Sequence, residues 1–559
     1  MKGSQAVVRM LEQIGVEVVF GLCGDTSLPL YEAFWEINPD VKHILTRDER
    51  SASFMADAYA RFSGRVGVCE GPSGGGVTYI MPGVAEANQS SVPLVSITSD
   101  IDLCDRGRGT LTELDQDALF RPITVWSNTP VEGRQLPGVI REAFRQANSG
   151  RLGATHICLP MNVQEADVAD ADVYINPNLA VYPAVRTAPD PGPMGRTAAL
   201  LLESKNPVVV AGAGVIRSKA WPELKQLAEM LGCPVATSIS GKGALAEIHP
   251  YSLGVIGSNG GLAYRHEFIQ SADLIFYIGC HTGSVTTSKW TLPADRSTKI
   301  IQLDADPNHI GINFQLVEGI VADAKLGLSA LNEEMADRLG GGTADKTDPD
   351  LISRSRQTHM MAVADFTSDR IPIRPERFVA ELINVLPVDA LVITDPGTPT
   401  PYMAAYYRLP NAGRWFVAPR AHGALGYSLP AVVGAHFARD GHGVVGIMGD
   451  GSFAISAGEL ETIARLNIPV VLIVLTNSGF GWVKAGQRAT GGHYFGVDFS
   501  PTDHAKVARA YGIKAERVED PADLNSVLGR AMRFQGPFLV DVVVQPLEEA
   551  NAPVSKWVA

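Results

Sequence analysis

Two apolar runs, GVVGIM at 443–448 and PVVLIVL at 469–475, bracket one helical stretch, and this leaves few folds open to the chain. A strand with one face in water alternates apolar and polar residues; a strand apolar at every position must be covered on both faces. Two such strands joined through a helix therefore read as a parallel strand–helix–strand unit. The same alternation recurs along all 559 residues, in EVVFGLCG, VGVCEG and PLVSITSD, then PVVVAGAG, DLIFYIGC and KIIQLDADP, then ALVITDPG and GPFLVDVVVQP. It predicts an α/β protein of three doubly wound parallel-sheet domains, at residues 1–170, 190–340 and 370–546, with a tail at 547–559. The Pro- and Gly-rich NPNLAVYPAVRTAPDPGPMG reads as the first linker, and the polar LGGGTADKTDPDLISRSRQ closes the second block.

Composition narrows the partners. With 45% hydrophobic and 19% charged residues the chain is of ordinary globular make-up. No apolar run reaches the roughly 18 residues of a membrane helix, and the N-terminus MKGSQAVVRMLEQIGVEVVFG reads as an amphipathic helix and a strand, not a secretory signal. Six scattered cysteines without a CxxC pair fit free thiols in a reducing compartment, so a cytoplasmic location is expected and a membrane partner is not. A net charge of −13 excludes a basic nucleic-acid-binding face as the working surface.

The chemistry concentrates where the two apolar strands end. GDGS at 449–452 and TNSG at 476–479 both stand at strand C-termini, where open α/β sheets bind ligands. Asp450, the Asn477 amide and the carbonyls of these turns are hard oxygen donors, suited to magnesium completed by phosphate oxygens and water. The helix between the strands, SAGELETIARLN, carries Ser456 as a candidate N-cap in a Ser-x-x-Glu pattern. GDG alone is commonly only a turn; the paired context points to a magnesium–diphosphate clamp.

This stretch resembles the diphosphate-anchoring motif of the thiamine diphosphate enzymes, in the acetolactate synthase and benzoylformate decarboxylase branch. The resemblance implies that Asp450, Asn477 and the Gly479 carbonyl hold magnesium and that Gly451 and Ser452 touch the diphosphate. Thr476 stands in place of the first Asn of the usual Asn pair. It implies too that Glu49, in RDERSASFMADAYAR, hydrogen-bonds the aminopyrimidine and promotes loss of the thiazolium C2 proton. A carboxyl in an apolar cleft has the raised pKa such proton sharing needs; the plain alternative is a surface carboxylate in a charged run. In APRAHGALGYSLP, Gly423 and Leu425 match the aminopyrimidine cradle, Leu425 as the wedge that bends the cofactor, and in ITDPGTPT, Gly397 and Thr398 match a second diphosphate contact. The three domains are then pyrimidine-binding, central and diphosphate-binding. The site would form between copies of the chain, in a homodimer or homotetramer.

The same resemblance implies a carbon–carbon lyase or transferase, an acetolactate synthase-like carboligase, acting on a 2-oxo acid or acyloin with an aldehyde or ketone acceptor. The alternative is a simple 2-oxo acid decarboxylase of the benzoylformate decarboxylase type. Pro72, beside Ser73, stands where that decarboxylase carries a His, which disfavours it; Leu111-Thr112-Glu113 replaces the Phe-Gln-Glu usual in acetolactate synthases. Ser73, His422 and Trp482 are candidate substrate contacts, with Arg420 and Lys484 beside them. FAD in the central domain is disfavoured: AGAG lacks the full GxGxxG spacing, and His281 replaces an Arg common in flavin-binding relatives. A binding protein without catalysis is disfavoured by the presence of Glu49, and a nucleotide-dependent oxidoreductase by the missing strand–GxGxxG–helix unit.

Overall fold

The computed structural model describes residues 1–363, 365–439, 441–550 and 552–555, so of the 547–559 tail residues 551 and 556–559 lie outside the described residues. The chain builds three six-stranded sheets, each with all its strand pairs parallel. The first contains β1 Val18–Gly21, β2 Lys42–Leu45, β3 Gly67–Gly71, β4 Leu94–Asp100, β5 Trp126–Asn128 and β6 Ala154–Pro160 in the order β2-β1-β3-β4-β6-β5. The N-terminal segment is helix α1, Gly3–Ile14, leading into β1 as its pattern predicts. After β2 the chain enters helix α2, Glu49–Ser63, whose N-cap Asp48 accepts a hydrogen bond from the Arg50 amide. This cap fixes Glu49 in the first turn, directly beyond a strand end. Helix α3, Gly75–Gln89, follows β3.

The central sheet comprises β7 Pro207–Ala211, β8 Val235–Thr237, β9 Ser252–Val255, β10 Leu274–Ile278, β11 Lys299–Asp304 and β12 Glu318–Val321. Its order, β12-β11-β10-β7-β8-β9, places the reversal of strand order between β10 and β7. The segment read as a polar closing stretch holds a helix, α4 Pro349–Val363. Pro349 starts it, Asp348 accepts from the Asp350 amide, and Ile352 is fully buried in the central core. The first linker is likewise anchored: the buried Tyr182 donates its hydroxyl to the Ala60 carbonyl at 2.7 Å.

The third sheet repeats the first: β13 Leu391–Thr394, β14 Phe416–Val417, β15 Val444–Gly449, β16 Val470–Thr476, β17 Lys514–Val518 and β18 Phe538–Val543, in the order β14-β13-β15-β16-β18-β17. Helix α5, Pro399–Tyr406, leaves the β13 end, and α6, Ser428–Ala438, precedes β15. Between β15 and β16 lie α7, Asp450–Ser456, and α8, Leu460–Leu466; α9, Gly481–Thr490, follows β16. The expected Ser456 cap is therefore corrected: the helix starts six residues earlier, at Asp450. Glu459 accepts instead from the Arg47 amide and the Thr462 hydroxyl, and the buried Ser456 hydroxyl oxygen has no partner.

The first and third sheets meet within one chain through α2 and α6. A side chain at Gly434 would collide with the Met55 carbonyl, so glycine lets the two backbones touch. Tyr427 stacks edge-on against Phe54 and donates its hydroxyl to Asp57 at 2.6 Å, tying the loop before α6 to the middle of α2.

Candidate active site

In the third sheet the strand order reverses between β13 and β15, and both strands end in polar turns there. Register pairs Gly449 of β15 with Leu475 of β16, which brings the Asp450 and Asn477 turns side by side. Asp450 is 2% exposed. Its Oδ2 accepts from the amides of Asn477 at 2.9 Å and Ser478 at 2.6 Å, and its Oδ1 from Gly451 at 2.9 Å. Burial raises the Asp450 pKa, opposed by these three amides. The Asn477 side-chain oxygen is buried without a partner. A buried carboxylate beside an unpartnered amide oxygen is a donor set that a hard cation satisfies. Gly479 lies next to it, its carbonyl accepting from Gly481. Thr476 is turned away: its hydroxyl donates to Asp541 at 2.6 Å and meets the His504 ring.

An open cradle adjoins this turn. Gly397 (φ 107°), Gly423 (φ 76°) and Gly449 each have no atom within 4 Å of where a Cβ would lie. The first two also hold left-handed backbone that disfavours other residues. Asn477 Nδ2 and Thr398 Oγ1 flank one spot, 3.2 and 3.6 Å from where a Cβ on Gly481 would lie. Ser452 Oγ accepts from the Gly426 amide at 3.0 Å, tying the loop that carries Gly423 and the half-buried Leu425 to α7. Gly451 fits less well as a diphosphate contact, because its amide is committed to Asp450 and a Cβ there would meet the Phe480 ring at 2.7 Å. Behind the cradle Asp395, fully buried, accepts from the Tyr427 amide at 3.0 Å, and burial pushes its carboxyl up to about 7. Sequence reading passed over Asp395; the signal was an acid directly after the apolar β13.

Glu49 is 7% exposed. Its side chain packs against the β3 end and the start of α3: its Cγ is 3.3 Å from a Cβ position on Gly71, its Oε1 3.0 Å from one on Gly76. Burial raises its pKa first, the charges of Asp48 and Glu70 add to this, and its own amide opposes. It is thus a carboxyl held toward its protonated form, not a solvated member of a charged run. Glu70 was missed as well: a lone acid in the buried run VGVCEG, it accepts from Tyr31 at 2.5 Å and lies 3.1 Å from His43 Nε2. Among the described residues no hydrogen bond or ion pair joins Glu49 to Asp450 or Asn477 within one chain.

The substrate candidates have different neighbours within one chain. Ser73 belongs to a hydroxyl chain in the first domain, bonded to Thr26 at 3.0 Å and Thr112 at 2.7 Å, with Ser99 beyond. The side chain of His422 is exposed, and its amide donates to the buried Glu86 at 2.7 Å. Trp482, on α9, has the Arg420 guanidinium 5.8 Å from its ring centroid. Lys484 is spoken for: it pairs with Glu548 at 2.7 Å and Asp498 at 2.9 Å, which removes it as a free carboxylate reader.

Arg420 and Ala421 also wall a cleft of about 280 Å³ that reaches the central domain, where Gly212, Arg217, Gly279, His281 and Ser284 line it. It opens at the β7–β10 reversal, the ligand-binding position of such sheets. The AGAG glycines are accounted for by packing, since Cβ atoms at Gly212 and Gly214 would strike the Gly279 backbone.

Three family models match the chain: "Thiamine pyrophosphate enzyme, N-terminal TPP binding domain" over residues 1–119, the central domain of the same enzymes over 194–331, and the C-terminal TPP binding domain over 395–542. Among curated proteins it is 34% identical to a probable acetolactate synthase large subunit of Methanocaldococcus jannaschii, covering 98% of this chain and 93% of that one. It is 30% identical to the acetolactate synthase large subunit of Cyanidium caldarium (98% and 94% covered) and 31% identical to the chloroplastic acetolactate synthase 1 of Nicotiana tabacum (99% and 83%). The buried oxygen donors at the β15 and β16 ends, the open glycine cradle and the buried Glu49 fit these matches, and the chain belongs to the thiamine pyrophosphate enzyme family, in its acetolactate synthase branch.

Proposed function

We propose that this protein is a thiamine diphosphate- and magnesium-dependent carboligase that cleaves a 2-oxo acid or acyloin and passes the acyl fragment to an aldehyde or ketone acceptor. The observation that carries the reading is the unpartnered, buried Asn477 oxygen beside Asp450 at the mouth of an open cradle. Asp450, Asn477 and the Gly479 carbonyl hold magnesium; Gly397, Thr398 and Ser452 face the diphosphate; Gly423 and Leu425 support the aminopyrimidine. When bound, thiamine diphosphate supplies a carbon acid whose anion adds to a carbonyl and stores the electron pair left by carbon dioxide. Glu49, whose carboxyl burial holds toward its protonated form, would be the group that holds a proton beside the aminopyrimidine. Arg420 and Trp482 border the space left for the second carbonyl.

Glu49 and Asp450 work together across two copies of the chain, in a dimer or a pair of dimers. In support, exposed apolar side chains stand on the segments that carry the site: Tyr79 on α3, Leu111, Ile455 on α7, and Phe480, Val483 and Phe495 around α9. Simple decarboxylation is the second reading; Pro72 carries no N–H or other side-chain group that could deliver a proton, and Ser73 is held in its hydroxyl chain. Among the described residues no helix is long and apolar enough to cross a membrane. The deciding experiment incubates the purified holoenzyme with pyruvate, benzoylformate or glyoxylate, with and without an aldehyde acceptor. Acyloin formation is expected; aldehyde and carbon dioxide alone, with no ligated product from any pair, would establish the decarboxylase instead.

A further inference from the structure

Outside this site the central domain gathers two imidazoles and a carboxylate. His281 lies just beyond β10, Asp304 ends the neighbouring strand β11, and His309 closes the turn that follows. Register pairs Ile278 with Leu303, so the two strand ends deliver their side chains to one place. One ligand atom from each of the three residues lies within 4.8 Å of the others. The two rings lie with centroids 3.9 Å apart, tilted by 41°. His309 Nδ1 is buried without a hydrogen-bond partner, although Asp306 Oδ2 is 3.5 Å away and Asp304 Oδ1 3.9 Å away.

The surroundings hold these groups firmly. The Asp304 carboxylate accepts from the Asp306 amide at 3.0 Å, and Gln302 donates to the carbonyls of His309 and Cys280, pinning both histidine-bearing loops. A small cavity of about 70 Å³ adjoins the three residues. Arg151, 3.9 Å from Asp306, and Arg217, which lines the same cavity, are the neighbouring cations. Asp304 is the carboxylate whose oxygen lies within 4.8 Å of a nitrogen of each imidazole, whereas Asp306 Oδ1 accepts from the Asn308 amide and side chain.

We propose that His281, Asp304 and His309 form a second metal site, for a divalent cation of the zinc type, separate from the magnesium site of the third domain. Two imidazole nitrogens with one carboxylate oxygen suit zinc, cobalt or nickel, whereas the all-oxygen set at Asp450 suits magnesium. Three protein ligands leave one position for water or an anionic oxygen, and Arg217 lines the same cavity. His281 and Arg217 also line the larger cleft that Arg420 walls, so the ion stands in the partition between the two cavities.

The test uses tag-free holoenzyme saturated with thiamine diphosphate and magnesium, titrated with cobalt(II). One equivalent per chain is expected to bind with visible d–d absorption and a Kd of about 10 µM or tighter, and zinc is expected to displace it. His281→Ala and the shape-preserving His309→Gln should each weaken binding by about 100-fold or more, while Asp450→Asn leaves it intact. Retained cofactor binding in the histidine variants shows that they are folded. Unchanged cobalt binding in both histidine variants, or no binding by the wild type, overturns the assignment; Cys23→Ser identifies an exposed-thiol source in the former case.

Discussion

Asp395→Asn isolates the cost of burying an acid behind the cradle. The residue is fully buried, one oxygen accepts from the Tyr427 amide, and the other has no partner. Burial takes its carboxyl from 3.8 to about 7, equivalent to about 4 kcal/mol against the ionised form at 1.36 kcal/mol per pH unit. The sign follows from linkage: a carboxyl whose folded pKa exceeds its unfolded one keeps its proton longer when folded. The wild type therefore loses stability as pH rises from about 4 to about 7, and levels off above. Asparagine preserves the acceptor for Tyr427 and cannot ionise, so the variant lacks this slope. Between pH 5 and pH 7.5 its advantage over wild type should grow by about 2–3 kcal/mol, or about 5–10 °C in the transition of a domain this size. Calorimetry of the cofactor-free proteins at the two pH values reads this directly. A difference in Tm that is the same at both pH values would show that Asp395 does not ionise later in the folded protein than in the unfolded chain.

Asn477→Ala removes an oxygen with no partner in the fold, so stability should stay within about 0.5 kcal/mol of wild type. Magnesium-dependent cofactor binding should fall about 100-fold, close to 3 kcal/mol, by titration calorimetry; equal affinities would remove Asn477 from the metal. Glu49→Gln and Asp450→Asn, each inactive alone, should recover activity when unfolded and refolded together, because a mixed dimer keeps one intact site. No recovery in mixtures shown to hybridise would place both groups on the same chain.

The parallel sheets were legible because 443–448 and 469–475 are apolar at every position, a demand that tertiary structure met with β15 and β16. The placing of Asp450, Asn477 and Glu49 just beyond strand ends was legible because each follows the close of an apolar run. What escaped was set by long-range partners. Ser456 has the local pattern of a cap, yet Glu459 is drawn to the Arg47 amide more than 400 positions away, and the helix begins where Asp450 does. Lys484 looked free in GFGWVKAGQ until Glu548 and Asp498 came beside it from later in the chain. Helix α4 was hidden in a polar stretch because only Ile352 and a few neighbours pack inward. Asp395 and Glu70, single acids beside buried strands, carried a signal in their misfit with the surrounding apolar residues, and that misfit was readable.

If a buried acid of the first domain activates a cofactor anchored by the third, its loss must show at the cofactor's C2 carbon. Exchange of the C2 hydrogen of bound thiamine diphosphate for deuterium, followed by rapid acid quench and proton NMR, measures that step without any substrate. Glu49→Gln should bind cofactor and magnesium as wild type does yet exchange about 100-fold more slowly or worse. Exchange at the wild-type rate in the fully loaded variant would contradict the account.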